Sequence, residues 1–479
     1  MGGLVELVVA RGRANGLDAV GIADASPFTD TLEDLTFRRD LGLHADMQFT
    51  YRDPQRSTDP SRSLGGARSL VVGAVRYASQ IPDPVGAGTA GTAGAHGSGG
   101  VGTAGTPGTA TTSATDAASS NPGQGASDRH PPLVEDGRSG PFGVVARYAV
   151  GDQDAVLRSA LEMVAVDLRT AGFRAVVLAD DNALVDRAAA HRGGLGWFGK
   201  SSNLLLPGKG SWFVLGAVLT DAALVDPSHP SGDPVADGCG TCRRCIDACP
   251  TAAIVADGVV DARRCLSWQL QSPGTFPHEF RVALGDRIYG CDDCQEVCPP
   301  NRLADRRGDG DAALARRGSP VDVAVGATVA AGATVAAGAT VAAGSTGGNT
   351  DAGGAERSSG VAATSGRIDV LWMLHADDDD LLAAAGRWYV PRRDPDHLRR
   401  NALLVLANTG DGADPAVAAA VGRYLRHAND VLAAHAAWVA LRLGRTDLLE
   451  PPEVAERPAV RAEQAAAAKW TGANSTAVT

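Results

Sequence analysis

All eight cysteines of the chain fall between residues 239 and 298, and their spacing constrains the fold more than any other feature. The first set reads Cys239-x2-Cys242-x2-Cys245-x3-Cys249-Pro250. The second is Cys265, then Cys291-x2-Cys294-x3-Cys298-Pro299. Bacterial ferredoxins hold [4Fe-4S] cubanes with this spacing: three thiolates grip one cluster and the fourth reaches across to a second. Crossed ligation then assigns Cys239, Cys242, Cys245 and Cys298 to one cluster, and Cys249, Cys265, Cys291 and Cys294 to the other. Two four-cysteine zinc sites would need paired C-x2-C knuckles and would leave the Cys-Pro endings as coincidence.

Disulfides fit less well still. The start of the chain, MGGLVELVVARGRANG, lacks the charged head, apolar core and small-residue cleavage site of a secretory signal. Arg38-Arg39 is followed by a stretch too polar for a twin-arginine leader. A cytoplasmic location is expected, and there cysteines serve as metal ligands more often than as disulfides. No run of 18 apolar residues occurs, so no transmembrane helix is expected. A net charge of −11 argues against a generally basic nucleic-acid coat, though not against a local basic patch.

With 479 residues the chain is too long for one ordinary domain. Two stretches, 86–140 and 304–366, are dominated by small and polar residues; in the second, GATVAA returns at Gly326, Gly332 and Gly338. A few small-residue repeats bury too little to offset the entropy of ordering, so both stretches are expected to be disordered. The expected fold class is α+β. Residues 1–232 form an α/β-layered catalytic domain interrupted by 86–140, and 233–303 a ferredoxin-like module. Next come the linker 304–366, a HEAT-like helical region at 367–446 and a tail at 447–479. Within the first domain, 67–77 reads as a buried strand, and 154–171 as a helix with Leu157, Leu161, Val164 and Leu168 on one face and Gly172 ending it. The stretch 175–180 reads as a strand running into a carboxylate, Asp180, where open α/β sheets place their chemistry. An offset of 34 between NALLVLANTG (401–410) and HAAWVALRLG (435–444) suggests stacked helical pairs.

Arginine outnumbers lysine 41 to 3, and two of the lysines lie in GLGWFGKSSNLLLPGKGSWF, residues 194–213. The segment formally matches GxxxxGK[ST], but a P-loop follows a strand and opens a helix. Here a helical stretch precedes and an apolar run follows, so the glycines point instead to close backbone approach.

Together these motifs resemble epoxyqueuosine reductase, the family that completes queuosine in tRNA. The resemblance rests on Asp180 seven residues before Arg187, GLGWFGK, GSWFVLGAVLT, CGTCRRCIDACPTAAI, RCLSW and DRIYGCDDCQEVCPPN, with weaker matches around Arg56, Ala146–Ala149 and Arg399–Ala402. It implies a domain that holds cobalamin, fed by electrons from the two [4Fe-4S] clusters, and two-electron removal of the epoxide oxygen of the wobble nucleoside. Asp180 matches the proton donor, in keeping with the need for a positioned acid when an epoxide oxygen leaves. By the same resemblance Arg56, Asp180, Leu204, Ser267 and Asp292 fall at cobalamin contacts. The Asp-x-His-x-x-Gly signature is absent, so a corrinoid is expected to bind without a protein histidine below cobalt.

The implied partners are the anticodon arm of tRNA and a small electron donor such as flavodoxin or ferredoxin, with no membrane and a monomeric chain. Arg387, Arg392, Arg393, Arg399 and Arg400, with Trp388, Tyr389 and His397 interleaved, form the candidate tRNA surface, although a solvated helix face would look the same. The chain departs from the family pattern at Val150–Ala155, at Leu270–Ser272 and at Pro300, regions that could shape the substrate pocket. Two other classes compete: a corrinoid reductase of a small molecule, dehalogenase-like, and a non-catalytic electron carrier. About 230 residues ahead of the cysteines count against the carrier.

Overall fold

The computed structural model describes residues 2–77, 140–225, 232, 235–307, 366–386 and 388–475. The calls on 86–139, on 308–365 and on Arg387 lie outside the described residues. The strands in chain order are β1 (Ala19–Asp24), β2 (Ser69–Arg76), β3 (Phe142–Val145), β4 (Ala175–Ala179), β5 (Trp197–Phe198) and β6 (Leu204–Leu205). They continue with β7 (Phe213–Thr220), β8 (Ile254–Ala256), β9 (Val259–Val260), β10 (Arg287–Tyr289) and β11 (Arg367–Asp369).

The main sheet runs β1-β2-β7-β4, and every neighbouring pair is antiparallel. This corrects the α/β-layer expectation for the first domain. Helix-then-strand order is shared by parallel and antiparallel designs, and only pairing separates them. β2 is buried along its whole length, because helices cover one face of the sheet and a short helix with its loops covers the other. The helix Gln153–Thr170 turns Leu157, Leu161, Val164 and Leu168 onto Val71, Val75 and Val218. Asp152 caps its start by accepting from Ala155 N–H. At its end Gly172 adopts φ 91°, while Phe173 N–H reaches Leu168 O and Gly172 N–H reaches Arg169 O. Only a residue without Cβ takes that left-handed position at no steric cost.

A second sheet, β10-β3-β11, joins strands from the first domain, the cysteine module and the start of the helical region. One hydrophobic core runs from Val145 and Leu266 through Ile288 to Leu404, Val439 and Val460, so module and helices are packed as a unit. The helices Pro395–Thr409, Asp430–Arg442 and Pro458–Ser475 pack in succession, with Pro415–Leu425 against the second of them.

Two boundaries move. The helix Pro299–Arg306 runs past residue 304, where the linker was expected to start, and Ala304 is fully buried. The tail expected at 447–479 is folded as far as Ser475. Leu449, Val454 and Val460 are buried, and Glu463 meets Arg281 at 2.7 Å inside the protein. Prolines at 452 and 458 start its helices, a position where the missing N–H costs nothing.

Candidate active site

β4 delivers Asp180. The strand ends at Ala179, whose carbonyl is held by the Arg158 guanidinium, and Asp180 turns to φ 51°. A non-glycine residue there is strained, and such strain survives where the surroundings enforce it. The loop that follows is tied down by Ser57: its hydroxyl donates to Asn182 O at 2.6 Å, and its carbonyl accepts from Val185 N–H. Six and seven residues beyond Asp180, Asp186 and Arg187 open the short helix Asp186–Arg192.

Asp180, Asp186 and Arg187 line a cavity of about 910 Å³, large enough for a sizeable organic ligand. Leu204, Ser267 and Asp292 line it too, so three of the residues at expected cobalamin contacts converge with the acid. Arg56 is not among the lining residues. It is exposed on the adjacent helix Pro54–Thr58, where its N–H bonds to the Asp53 side chain. Asp154 and Gln271, both from segments that depart from the family pattern, also face the cavity.

The cavity wall carries three phenols, Tyr51, Tyr77 and Tyr148, all pushed up by burial and therefore neutral hydrogen-bonding groups at neutral pH. Burial also raises the Asp186 carboxyl, which faces the cavity space yet is surrounded by protein; the neighbouring Asp180 pushes the same way and Arg187 opposes. Asp292 is raised to about 6 by burial, although its Oδ2 accepts from Arg147 N–H at 2.7 Å. His44 lines the cavity as well, with its ring 5.1 Å from Tyr51. Tyr77, Tyr148, Asp186 and His44 were missed as site residues. For Tyr77 the signal was its place at the end of a buried strand, and for Asp186 its place beside Arg187; nothing in the sequence marked His44.

The cysteines divide into two sets. Cys249, Cys265, Cys291 and Cys294 line the cavity, and Cys239, Cys242, Cys245 and Cys298 do not. Electrostatic neighbours follow the same division: Cys298 feels Cys239, Cys245 and Cys242, while Cys294 feels Cys291, Cys265 and Cys249. This is the partition that crossed ligation requires. Burial above all pushes Cys291 up to about 12 and Cys298 up to about 11. Thiolates here would be costly without positive charge between them, which iron supplies, so the donor sets fit clusters. Among the described residues no three His, Cys, Asp or Glu side chains converge to hold a single metal ion.

The glycine-rich segment packs against the outer set. A Cβ on Gly199 would lie against Leu205 and 3.7 Å from Cys239 Sγ, so the close backbone approach has an identified partner. β5 pairs with β6 and no helix opens after Lys200, which instead meets Asp257 at 3.1 Å.

The candidate tRNA arginines separate. Arg392 and Arg393 are exposed, both with left-handed backbone, and Arg393 donates to the carbonyls of Leu382 and Gly386. Arg399 is engaged by Asp378 at 2.6 Å and Asp396 at 3.1 Å. Arg400 is buried and donates to the carbonyls of Gln269, Leu270, Ser272 and Gly274. Arg399 is thus already paired with carboxylates and Arg400 is buried on backbone carbonyls, so neither presents a guanidinium to a phosphate. Trp388 is buried against Tyr289 with rings 4.4 Å apart, and His397 is buried on Leu270 O.

Residues 238–301 match the family of 4Fe-4S double cluster binding domains. Over 301 residues the chain is 29% identical to the epoxyqueuosine reductase of Bacillus anthracis, covering 62% of this chain and 64% of that protein. It is 46% identical to the Vibrio cholerae epoxyqueuosine reductase over 166 residues, 33% of this chain and 43% of the other. The matches thus span just under two thirds of the curated relatives' length, or less. The fold is that of an epoxyqueuosine reductase crystallised with an epoxyqueuosine-modified tRNA stem loop: TM-score 0.66, 21% identity and 96% of both chains. The Streptococcus thermophilus epoxyqueuosine reductase gives TM-score 0.66 at 22% identity, over 97% of this chain and 99% of that one. In sequence and in fold the chain is similar to the epoxyqueuosine reductases.

Proposed function

We propose that the chain reduces epoxyqueuosine to queuosine at the wobble position of a tRNA in the cytoplasm. The observation that carries this reading is one cavity lined by Asp180, by Leu204, Ser267 and Asp292, and by all four cysteines of one quartet. The net reaction takes two electrons and two protons: both carbon–oxygen bonds of the epoxide break, an alkene forms, and the oxygen leaves as water. When bound, the clusters would supply electrons singly and cobalamin a strongly reducing metal centre. Among the described residues no helix is long and apolar enough to cross a membrane.

The chain's own part is to bind, orient and protonate. Leu204, Ser267 and Asp292 would hold the corrinoid, with hydroxyl and amide groups of Ser201, Asn203 and Gln271 available to its amide rim. Asp180 stands at the cavity wall on a backbone held by Arg158 and Ser57, the placement a general acid needs. Arg392, exposed beside Arg393, is the candidate for a phosphate of the anticodon arm. Helices 395–409, 430–442 and 458–475, packing in sequence, support a HEAT-like reading of the C-terminal region.

The test is an anaerobic assay of the reconstituted protein with cobalamin, a strong reductant and tRNA carrying epoxyqueuosine, reading digested nucleosides by mass spectrometry. Loss of one oxygen is expected, and Asp180→Asn should slow it by roughly 10²–10⁴-fold with iron content unchanged. A fully loaded protein that leaves the nucleoside intact would favour reduction of a different substrate.

A further inference from the structure

The two cysteine quartets face different surroundings. Only the inner one lines the cavity, so a protein donor, too large to enter that cavity, would deliver its electron at the outer one. Two helices leave the outer quartet: Arg244–Asp247, which contains Cys245, and Pro299–Arg306, which follows Cys298. They carry Arg243, Arg244, Arg302, Arg306 and Arg307 on or beside them, and all five are exposed. The two elements are neighbours, since Arg302 Nε bonds to Glu296 O on a helix that packs against Arg244–Asp247.

Local acidity does not cancel this charge. Glu296 and Asp305 are turned onto Arg147. Among the described residues, the exposed carboxylates on or next to the segment Cys239–Cys245 are Asp237, which caps Cys239 N–H, and Asp247, 3.8 Å from Arg243. Five arginines against two aspartates leave a surplus of three positive charges, on a chain whose net charge is −11. Leu303, 37% exposed, stands among the arginines of the second helix.

From this we infer that the face formed by Arg243, Arg244, Arg302, Leu303, Arg306 and Arg307 is the docking surface for a small acidic one-electron carrier protein. A cationic rim around an apolar contact, close to a near-surface redox centre, suits brief encounters that bury little area and rely on steering. RNA would also meet arginines, but RNA bound here would sit over the outer quartet, away from the cavity where the reaction is placed. Each productive encounter moves one electron: the carrier's [2Fe-2S] centre is oxidised by one, a cluster of this chain is reduced by one, and no proton is transferred. The inference rests on the double-cluster domain and not on the identity of the substrate.

The experiment uses the full cluster-loaded chain and its Arg302→Glu/Arg306→Glu/Arg307→Glu variant. Reduction by a reduced, acidic plant-type [2Fe-2S] ferredoxin is followed by stopped-flow absorbance, with dithionite as the control. Binding of the oxidised ferredoxin is measured separately, without electron transfer. At low ionic strength the variant should be reduced by ferredoxin at least about tenfold more slowly and bind it correspondingly more weakly. The difference should shrink at about 1 M salt, where the screening length is near 3 Å. Dithionite should reduce both proteins alike. A second variant, Arg243→Gln/Arg244→Gln, should shift ferredoxin binding the same way. Unchanged ferredoxin kinetics and binding in both variants would overturn the proposal, and weakened tRNA binding with unchanged ferredoxin binding would assign the surface to RNA.

Discussion

The inner and outer cysteine quartets share a motif but not an environment. The inner one is built into the protein: it lines the cavity, Cys265, Cys291 and Cys294 are raised by burial, and the helical region braces the segment after Cys265. The outer one is set in short loops and helices flanked by exposed arginines. The difference shows that a repeated ligand pattern need not mean a repeated role. One quartet is placed to meet a cavity and the other to meet solvent.

The largest expected effect comes from breaking one quartet at a time. Cys294→Ser and Cys242→Ser should each remove roughly half of the iron, since each cubane needs four ligands. Cys294→Ser should abolish nucleoside reduction with every reductant. Cys242→Ser should lose turnover driven by a protein donor yet keep part of that driven by dithionite, which can reach the inner site directly. Equal loss of both activities in Cys242→Ser would mean that dithionite too delivers its electrons through the outer quartet, and turnover kept with the protein donor would mean that the quartets are not arranged in series.

How much of this was legible beforehand follows from the range of the interactions involved. The grouping of the cysteines into two sets was, because metal chemistry fixes spacing over a few residues. The helix from Gln153 to Thr170 was, because four leucine or valine positions and Gly172 agree locally. The strand that ends just before Asp180 was, because 175–179 is a short apolar run. The antiparallel main sheet was not, since pairing of β4 with β7 joins residues some 40 apart with no local mark. Arg400 was misplaced for a similar reason: a buried arginine that donates to four carbonyls of residues 269–274 looks, in sequence, like a solvated cation. The folded end of the chain was hidden because its alanine-rich helix shows little amphipathic contrast, and among its described side chains only Val460 and Glu463 are buried.

Arg147 offers a middle-sized test, because it links the quartets. Its N–H holds Asp292 beside the inner set, while its guanidinium lies 2.5 Å from Glu296, 3.3 Å from Asp305 and 4.3 Å above the Trp212 ring. Arg147→Ala keeps the backbone bond but leaves Asp305, a largely buried carboxylate, with the more distant Arg76 at 3.9 Å as its cationic partner. Because Arg76 remains, the loss should stay below the roughly 3 kcal/mol that an uncompensated buried charge costs. Chemical denaturation should show that loss, and iron should leave the outer quartet first. Preferential loss of the inner cluster would mean that Arg147 supports Asp292 with its side chain as well.

The smallest effect concerns the bracing of the inner quartet. His397 Nε2 lies 2.6 Å from Leu270 O, five residues after Cys265, and burial together with the nearby Arg400 cation lowers it to about 3. Unfolded, a histidine titrates near 6.5, so below that pH the unfolded chain binds a proton that the folded chain refuses. The contribution of a neutral His397 is complete above pH 6.5 and falls away as the pH drops toward 3. At pH 5 the loss is about 2 kcal/mol. His435, buried and lowered in the same direction, adds to it. Hydrogen exchange should therefore show protection of the 266–276 segment falling between pH 7.5 and pH 5, with a smaller change in the helix Gln153–Thr170, which contains no histidine. His397→Asn, which cannot titrate, should flatten the response of the 266–276 segment. An unchanged response in that variant would show that His397 is not the group through which acid acts, and would leave His435, whose Nε2 accepts from Phe276 N–H, as the next to replace.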